Sequence, residues 1–432
     1  MAKLADVNPA ADPTIDGAAL YRRIVWRLVP FLFLGYLCAY LDRVNVGFAK
    51  LQMAQDLAFS ETVYGLGAGI FFIGYFLFEV PSNLLLHRIG ARRCLARIMI
   101  LWGLISTAMS LVEDARSFYI LRFLLGVAEA GFFPGVILYL TYWFPAALRG
   151  RVTALFATAV AVSSVVGAPL SGAIMAHFHG RAAMDGWQWL FIMEGLPSVA
   201  MGLLALIVLD DTPAHARWLT PAERTFVTQA VAAEQSSVPH HGLLAGFRTP
   251  AVWGLALVYF SFVLGLYGLN FWLPTMVKDL GYTDLVEIGL ISAIPFGAAG
   301  VVMVLVARSA DLRNERRWHM VIPALLGATG LVGSVCLADH PVWAIAALTL
   351  GTCGVLTAIP LTWSIATALV GGSAAAAGIA IINSVGNLAG FVGPYAIGWL
   401  KDLTGTIEPG VLVIALFQGL GAAGVIALTK KS

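Results

Sequence analysis

Long apolar runs recur along this chain at intervals too short for anything but closely packed helices. Twelve stretches are apolar enough to span a bilayer: 24–48, 62–86, 94–112, 117–141, 152–177, 187–209, 251–277, 287–307, 319–337, 341–365, 375–399 and 410–429. Eighteen or more such residues suffice for one membrane-spanning helix. The runs are continuous rather than alternating with period two, which argues for helices over a transmembrane barrel. Composition agrees, because 59% of residues are hydrophobic and only 12% are charged. Soluble domains carry about 25% charged residues and need polar groups to cover their surface. The expected fold is an all-α membrane protein of twelve transmembrane helices in two six-helix halves.

The chain therefore divides into a tail (1–23), a first half (24–209), a polar linker (210–250), a second half (251–429) and a short tail (430–432). The linker contains TPAHARWLTPAERTFV, where Thr220, Pro221 and Glu223 predict the start of a short helix. The N-terminal tail is polar, with no apolar core of the kind a signal peptide needs. Of the 26 Lys and Arg residues, nineteen fall on the side that carries both termini, and five (Lys50, Arg116, Arg181, Lys278, Lys401) fall on the other. This bias predicts cytoplasmic termini, and it makes these charges reporters of topology rather than of nucleic-acid binding. The four cysteines are scattered and no His lies mid-membrane, so neither a metal site nor a histidine relay is expected.

The two halves resemble each other. A basic turn NLLLHRIGARR (Asn83–Arg93) follows the second run, and ARSADLRNERR (Ala307–Arg317) follows the eighth. GAPLSG (Gly167–Gly172) in the fifth run corresponds to GPYAIG (Gly393–Gly398) in the eleventh. Matched Gly/Pro interruptions point to a repeated transporter fold with its site near the midplane.

These basic turns resemble the G-x-x-x-D-R-x-G-R-R signature of the major facilitator superfamily, although His87 and Asn83 depart from it in the first copy. The second copy keeps its aspartate, Asp311. The resemblance makes Arg88, Arg92 and Asp311 candidate gating residues, with the second loop closer to the pattern. LDRVNVGFA, FFIGYFLFEVPSN, RFLLGVAEAGFFPG, YWFPAALRGR, WQWLFIMEGLPS and NFWLPTMVK together resemble the anion:cation symporter family, bacterial carriers of acids such as tartrate, galactonate and phthalate.

Six ionisable residues lie inside the runs: Asp42, Arg43, Glu79, Arg122, Glu129 and Glu194. Such residues are functional candidates by default. Neighbours on a helix point about 100° apart, so Asp42 and Arg43 must face different partners. Arg122, Gly126, Glu129 and Phe133 share one stripe, with Gly126 leaving room between the charges. Matching depth predicts an Asp42–Arg122 pair, while Glu129, about 10 Å deeper, reaches the layer of Arg43. The plain alternative is that the four charges only neutralise one another and lock two helices together. The sharper reading makes Arg43 an anion anchor facing the cavity, since guanidinium grips a carboxylate with two bonds. Asp42 and Glu129 are then the coupling-proton sites. The resemblance assigns protons to Asp42 and Glu129, substrate contact to Arg43 and Tyr75, and a network role to Arg122. Glu79 and Glu194 read as helix-end or helix-contact residues.

The second half offers uncharged polar groups: Asn270, Trp363, Ser364, Asn383 and Asn387. Asn383 and Asn387 are one helical turn apart. They could join helices or contact substrate; the resemblance favours Asn387 for substrate. The implied activity is import of a small organic carboxylate, tartrate-like or phthalate-like, by proton symport, with sodium symport and anion exchange as alternatives. A non-transporting sensor or a membrane enzyme is disfavoured by the lack of any appended domain or catalytic motif. The expected partners are the carboxylate and the lipid bilayer of a bacterial cytoplasmic membrane; no cofactor beyond the coupling ion is implied, and the chain is expected to act as a monomer.

Overall fold

The structure is a computed structural model, described here over residues 15–235, 249–369 and 375–429. The N-terminal tail through residue 14, linker residues 236–248, the C-terminal residues 430–432 and the His87 side chain lie outside that description. Among the described residues, twelve helical spans are long and apolar enough to cross a membrane. The first six are Gly17–Asp56, Glu61–Leu86, Ala91–Leu111, Ala115–Trp143, Ala146–Phe178 and Gly186–Val208. The last six are Pro250–Asp279, Leu285–Arg313, Arg317–Cys336, Pro341–Ala366, Gly378–Thr404 and Glu408–Thr429.

Polar caps extend several helices beyond their apolar runs. Asp16 accepts from the backbone N–H groups of Ala18 and Ala19 at 3.0 and 3.1 Å, which starts the first span seven residues before its apolar run. Asp114 and Ser117 form a reciprocal capping box at the start of the fourth. Each such cap satisfies backbone donors that the first helical turn leaves free.

Two spans are broken. The first consists of helices Gly17–Val44 and Val46–Asp56, and the fourth of Ala115–Glu129 and Phe132–Trp143. In the fourth, Gly131 takes the left-handed conformation, φ +88°, which glycine alone adopts freely. The matched motifs at 167–172 and 393–398, by contrast, sit within continuous helices. Their glycines serve close approach. A Cβ on Gly172 would strike the Leu285 carbonyl of the eighth span, and one on Gly398 the Glu61 carbonyl of the second. The fifth span thus lies backbone-to-backbone on the eighth, and the eleventh on the second. The two contacts are symmetric counterparts, and they join the first six spans to the last six.

The linker begins as a folded element beneath the first six spans. Helix Pro221–Gln235 carries the expected reciprocal cap: Thr220 N donates to Glu223 Oε2 at 2.8 Å, and Glu223 N to Thr220 Oγ1 at 3.3 Å. Arg23 of the first span pairs with Glu223 at 2.5 Å. Partial burial pushes the Glu223 carboxyl up, but the bonds from Thr220 and Arg23 outweigh it and hold the group below the ordinary glutamate range. Trp218 stacks on Trp143 at 5.8 Å between ring centres. This end of the molecule is called the linker end below, and the opposite one the distal end.

Candidate functional site

Each broken span carries a buried charge at its break. Arg43 lies in the last turn of Gly17–Val44, where the carbonyl end of the helix favours a cation. Glu129 is the final residue of Ala115–Glu129. The two side chains meet. Arg43 Nε donates to Glu129 Oε1 at 3.1 Å, and Nη2 donates to the same oxygen. The remaining arm, Nη1, donates to the Tyr267 hydroxyl at 3.2 Å, reaching from the first span to the seventh. Tyr40, Phe71 and Tyr75 place their rings 5.4–5.7 Å from the guanidinium carbon, a distance at which ring quadrupoles attract a cation. All of this is buried. The other carboxyl oxygen, Glu129 Oε2, is buried without a hydrogen-bond partner among the described residues. Arg43 therefore meets a carboxylate as expected, but the carboxylate is the protein's own; in this conformation Arg43 is enclosed rather than facing an open cavity.

The expected Asp42–Arg122 pair is not formed. Asp42 points away from the fourth span and accepts from Trp102 Nε1 (3.0 Å), Ser106 Oγ (2.6 Å) and Ser198 Oγ (2.5 Å) of the third and sixth spans. The turn of about 100° per residue that separates Asp42 from Arg43 carries it past the fourth span. Arg122 instead donates to the carbonyls of Gly67 and Ala68 at 3.2 Å and, at 3.5 Å, to that of Arg43. It stands against the Phe71 ring at 5.2 Å. Gly126 does not make room between charges either. A Cβ there would strike the Phe71 carbonyl, so the glycine admits the backbone of the second span. Phe133 leaves the predicted stripe, because the break at Ala130–Gly131 puts it on the next helix.

Of the polar residues of the last six spans singled out in the sequence, Asn270 reaches this centre. Asn270 Nδ2 donates to the Tyr40 hydroxyl at 3.1 Å and to its own helix at Leu266 O, 2.8 Å, so it ties the two sets of spans together. Asn383 and Asn387 are half-buried, and their amides make no hydrogen bond among the described residues. Trp363 is half-buried and meets Tyr259 edge-on at 4.9 Å. The Tyr75 hydroxyl likewise makes no hydrogen bond among the described residues. The linker-end loops are less engaged: Arg88 is exposed, and Asp311 pairs at 3.5 Å with Arg316 of its own loop. Arg92 offers its backbone N–H to Asp211 Oδ1 at 2.9 Å, which anchors the first basic turn to the start of the linker.

Lys50 is a residue that sequence reasoning misses, counting it only as a loop charge. It is 5% exposed. It pairs with Glu61 Oε2 at 2.5 Å, donates to Thr275 Oγ1 at 3.2 Å and sits 3.9 Å from the centre of the Trp272 ring. Lys401 bridges Glu61 (3.5 Å) and Asp279 (2.8 Å), and Asp402 caps the second span at Glu61 N and Thr62 N. These bonds close the distal end across the two sets of spans. Helical spacing was the available signal, since Lys50 follows Arg43 by seven residues.

The Major Facilitator Superfamily model matches residues 32–394. The chain belongs to the Major Facilitator Superfamily. It is a transporter, not an enzyme, and an integral multi-pass membrane protein. A protein of Agrobacterium vitis named "Putative tartrate transporter" is 49% identical over 417 residues, 96% of this chain and 92% of that one. A protein of Pseudomonas putida named "Putative metabolite transport protein NicT" is 45% identical, covering 96% of this chain and 95% of that one. Among solved structures, a bacterial homolog of the human lysosomal transporter Spinster, inward-facing and occupied, matches with a TM-score of 0.76 at 14% identity, covering 94% and 97%. That likeness is one of fold. The superfamily resemblance read from the basic turns is thereby borne out.

Proposed function

We propose that this superfamily member imports a small organic carboxylate, tartrate-like in class, by proton symport across a bacterial cytoplasmic membrane. One observation carries the reading: Arg43 is held at the boundary between the two sets of spans by Glu129 on one side and Tyr267 on the other. A substrate carboxylate and Glu129 want the same guanidinium. Glu129 can yield it only by taking a proton, and its free oxygen Oε2 is the atom to receive one. Protonation then releases Arg43 to grip the anion, and departure of the proton on the other side lets Glu129 displace the anion. Competition for one cation couples the two fluxes. Asp42 is the second proton site, held by three neutral donors.

Asn387 and Asn383 supply donors and acceptors for substrate hydroxyls, with Tyr75 and Trp363 walling the site. The name carried by the Agrobacterium relative favours a hydroxy acid over an aromatic one. The charge bias puts the linker end in the cytoplasm, so the closed distal end faces outward. The Lys50–Glu61–Lys401 cluster is then the outer latch, and the loops of Arg88, Arg92 and Asp311 belong to the inner gate. Every group used here belongs to this one chain, so one chain suffices.

Uptake by reconstituted liposomes tests this. An imposed inward proton gradient should drive tartrate accumulation, and Glu129→Gln should abolish accumulation while leaving tartrate counterflow. Accumulation driven by a sodium gradient, or surviving in the Gln variant, overturns the proton reading.

A further inference from the structure

Glu194 is the one buried acid of the first six spans that the scheme above leaves idle. It is 4% exposed, and Ser171 Oγ donates to its Oε1 at 2.8 Å. Its Oε2 is buried without a hydrogen-bond partner among the described residues. The first, third and fifth spans pack around it. The first span presents Asp42 and, beside it, the Cys38 thiol. The third presents Trp102 and Ser106 to Asp42 and Thr107 to Gly195 beside Glu194, and the fifth presents Ser171 to Glu194 itself. Segment Val46–Asp56 meets the sixth span near Trp187, about two turns away, through Gln52 and Asp56. Among the described residues no Lys, Arg or His pairs with either Asp42 or Glu194.

Two buried carboxyl groups without a cation cannot both stay ionised, since an unpaired buried charge costs several kcal/mol and a like charge nearby adds to it. Their hydrogen bonds show which one yields. Asp42 accepts from three donors, as a carboxylate needs; Glu194 accepts one bond, from Ser171, with the Asn45 amide beside it outside hydrogen-bond geometry. The acid form is the one suited to Glu194.

A cavity lies beside its Ser171 partner. Its volume is about 20 Å³, and it sits where the first, fifth, seventh and eighth spans meet, lined by Asn45, Ser171 and Ser292, with Asn270, Pro274 and Phe296 completing its wall. That is room for about one water. Both amide atoms of Asn45 and the Ser292 hydroxyl are buried and make no hydrogen bond among the described residues. The Asn45 side chain also faces Glu194.

We propose that Glu194 is a third proton-binding carboxyl, holding a proton while Asp42 is ionised and exchanging it with the boundary between the two sets of spans through this cavity. A hydronium at the cavity loses one O–H bond as Oε2 gains it, leaving neutral water, and the reverse transfer returns the proton by the same path. Its part in transport rests on the proton-symport reading; its protonation does not.

Infrared spectroscopy of the full-length protein in liposomes at neutral pH tests the assignment directly, through the carbonyl stretch of protonated carboxyls. Glu194→Gln should remove one component of that band, and Asp42→Asn should leave that component in place. Ser171→Ala, a milder change, should shift it to higher frequency by removing its hydrogen bond. A band identical to wild type in both Glu194→Gln and Ser171→Ala overturns the proposal. Loss of the wild-type component on adding sodium at constant pH overturns it too, making the site one for a cation. Because no transport is measured, uptake that proves proton-independent would sink the symport reading while leaving this result intact.

Discussion

The first six spans and the last six are built on the same plan but filled differently. Among the described residues, every charged side chain buried in the protein (Asp42, Arg43, Lys50, Arg122, Glu129, Glu194) comes from the first six. The last six bury only amides and hydroxyls, such as Asn270, Thr275, Ser292 and Gln418. The breaks follow the charges: the first span is interrupted next to Arg43 and the fourth next to Glu129, whereas the seventh and eleventh run unbroken past Asn270 and Asn387. A charge in a low-dielectric interior needs partners aimed from several directions; the helix end beside Arg43 offers carbonyls that favour a cation, and Glu129 at its own helix end is held by Arg43 instead. An asparagine can satisfy itself within its own helix, as Asn270 does at Leu266 O. One set of spans can therefore change protonation state while the other keeps its shape, which suits a division between coupling and recognition.

Substitutions in the two sets should fail differently. Arg43→Ala should have the largest effect. It removes the anion's partner and strands Glu129 unpaired in the interior, a loss of roughly 3–5 kcal/mol. Binding of tartrate, followed by calorimetry or thermal shift, should fall below detection; wild-type affinity in this variant would remove Arg43 as the anchor. Asn387→Ala should be milder, about 1 kcal/mol of affinity for one lost hydrogen bond. It should discriminate less between hydroxylated and plain dicarboxylates while keeping the wild-type pH dependence of uptake. If Asn387→Ala changed that pH dependence instead, the division of labour would be broken.

The smallest effect should come where the two sets touch. Glu61→Gln removes the charge that Lys50 and Lys401 share at the distal end. Lys50 is buried but keeps Thr275 and the Trp272 ring as partners, and Glu61 is 28% exposed, so the loss should be about 1 kcal/mol. The expected outcome is a several-fold shift toward the distal-open state, read by the accessibility of an engineered distal cysteine, with substrate affinity little changed. No shift in accessibility would show that the latch is held by helix contact alone.

Much of the scaffold was legible in advance, and for a simple reason. Span number, basic turns and the capped linker helix are local consequences of hydropathy and of backbone donors that need partners. Asp42 and Arg43 were also separable, because the angle between neighbouring residues on a helix does not depend on the rest of the fold. The partner of each was not. Arg43 with Glu129 followed from depth alone, but the same depth argument paired Asp42 with Arg122, and the structure gives Asp42 to Trp102, Ser106 and Ser198. Depth along a helix is a local quantity, while azimuth toward a neighbour depends on which helix stands there.

The same distinction runs through the glycines and the lysine. A Gly in a helix announces small size, but only packing decides whether the space admits a side chain, as imagined for Gly126, or another backbone, as the Phe71 carbonyl requires. Lys50 read as a loop charge because its run ended near it; enclosure by Glu61, Thr275 and Trp272 came from two other parts of the chain. By itself the sequence determined how many helices there are, where the basic turns fall and which residues carry charge into the interior, since each rests on solvation and hydrogen bonding within a short stretch. Tertiary structure alone decided which charges neutralise each other, which carboxyls stand without a cation and which end is closed, because those depend on distances between residues up to hundreds of positions apart.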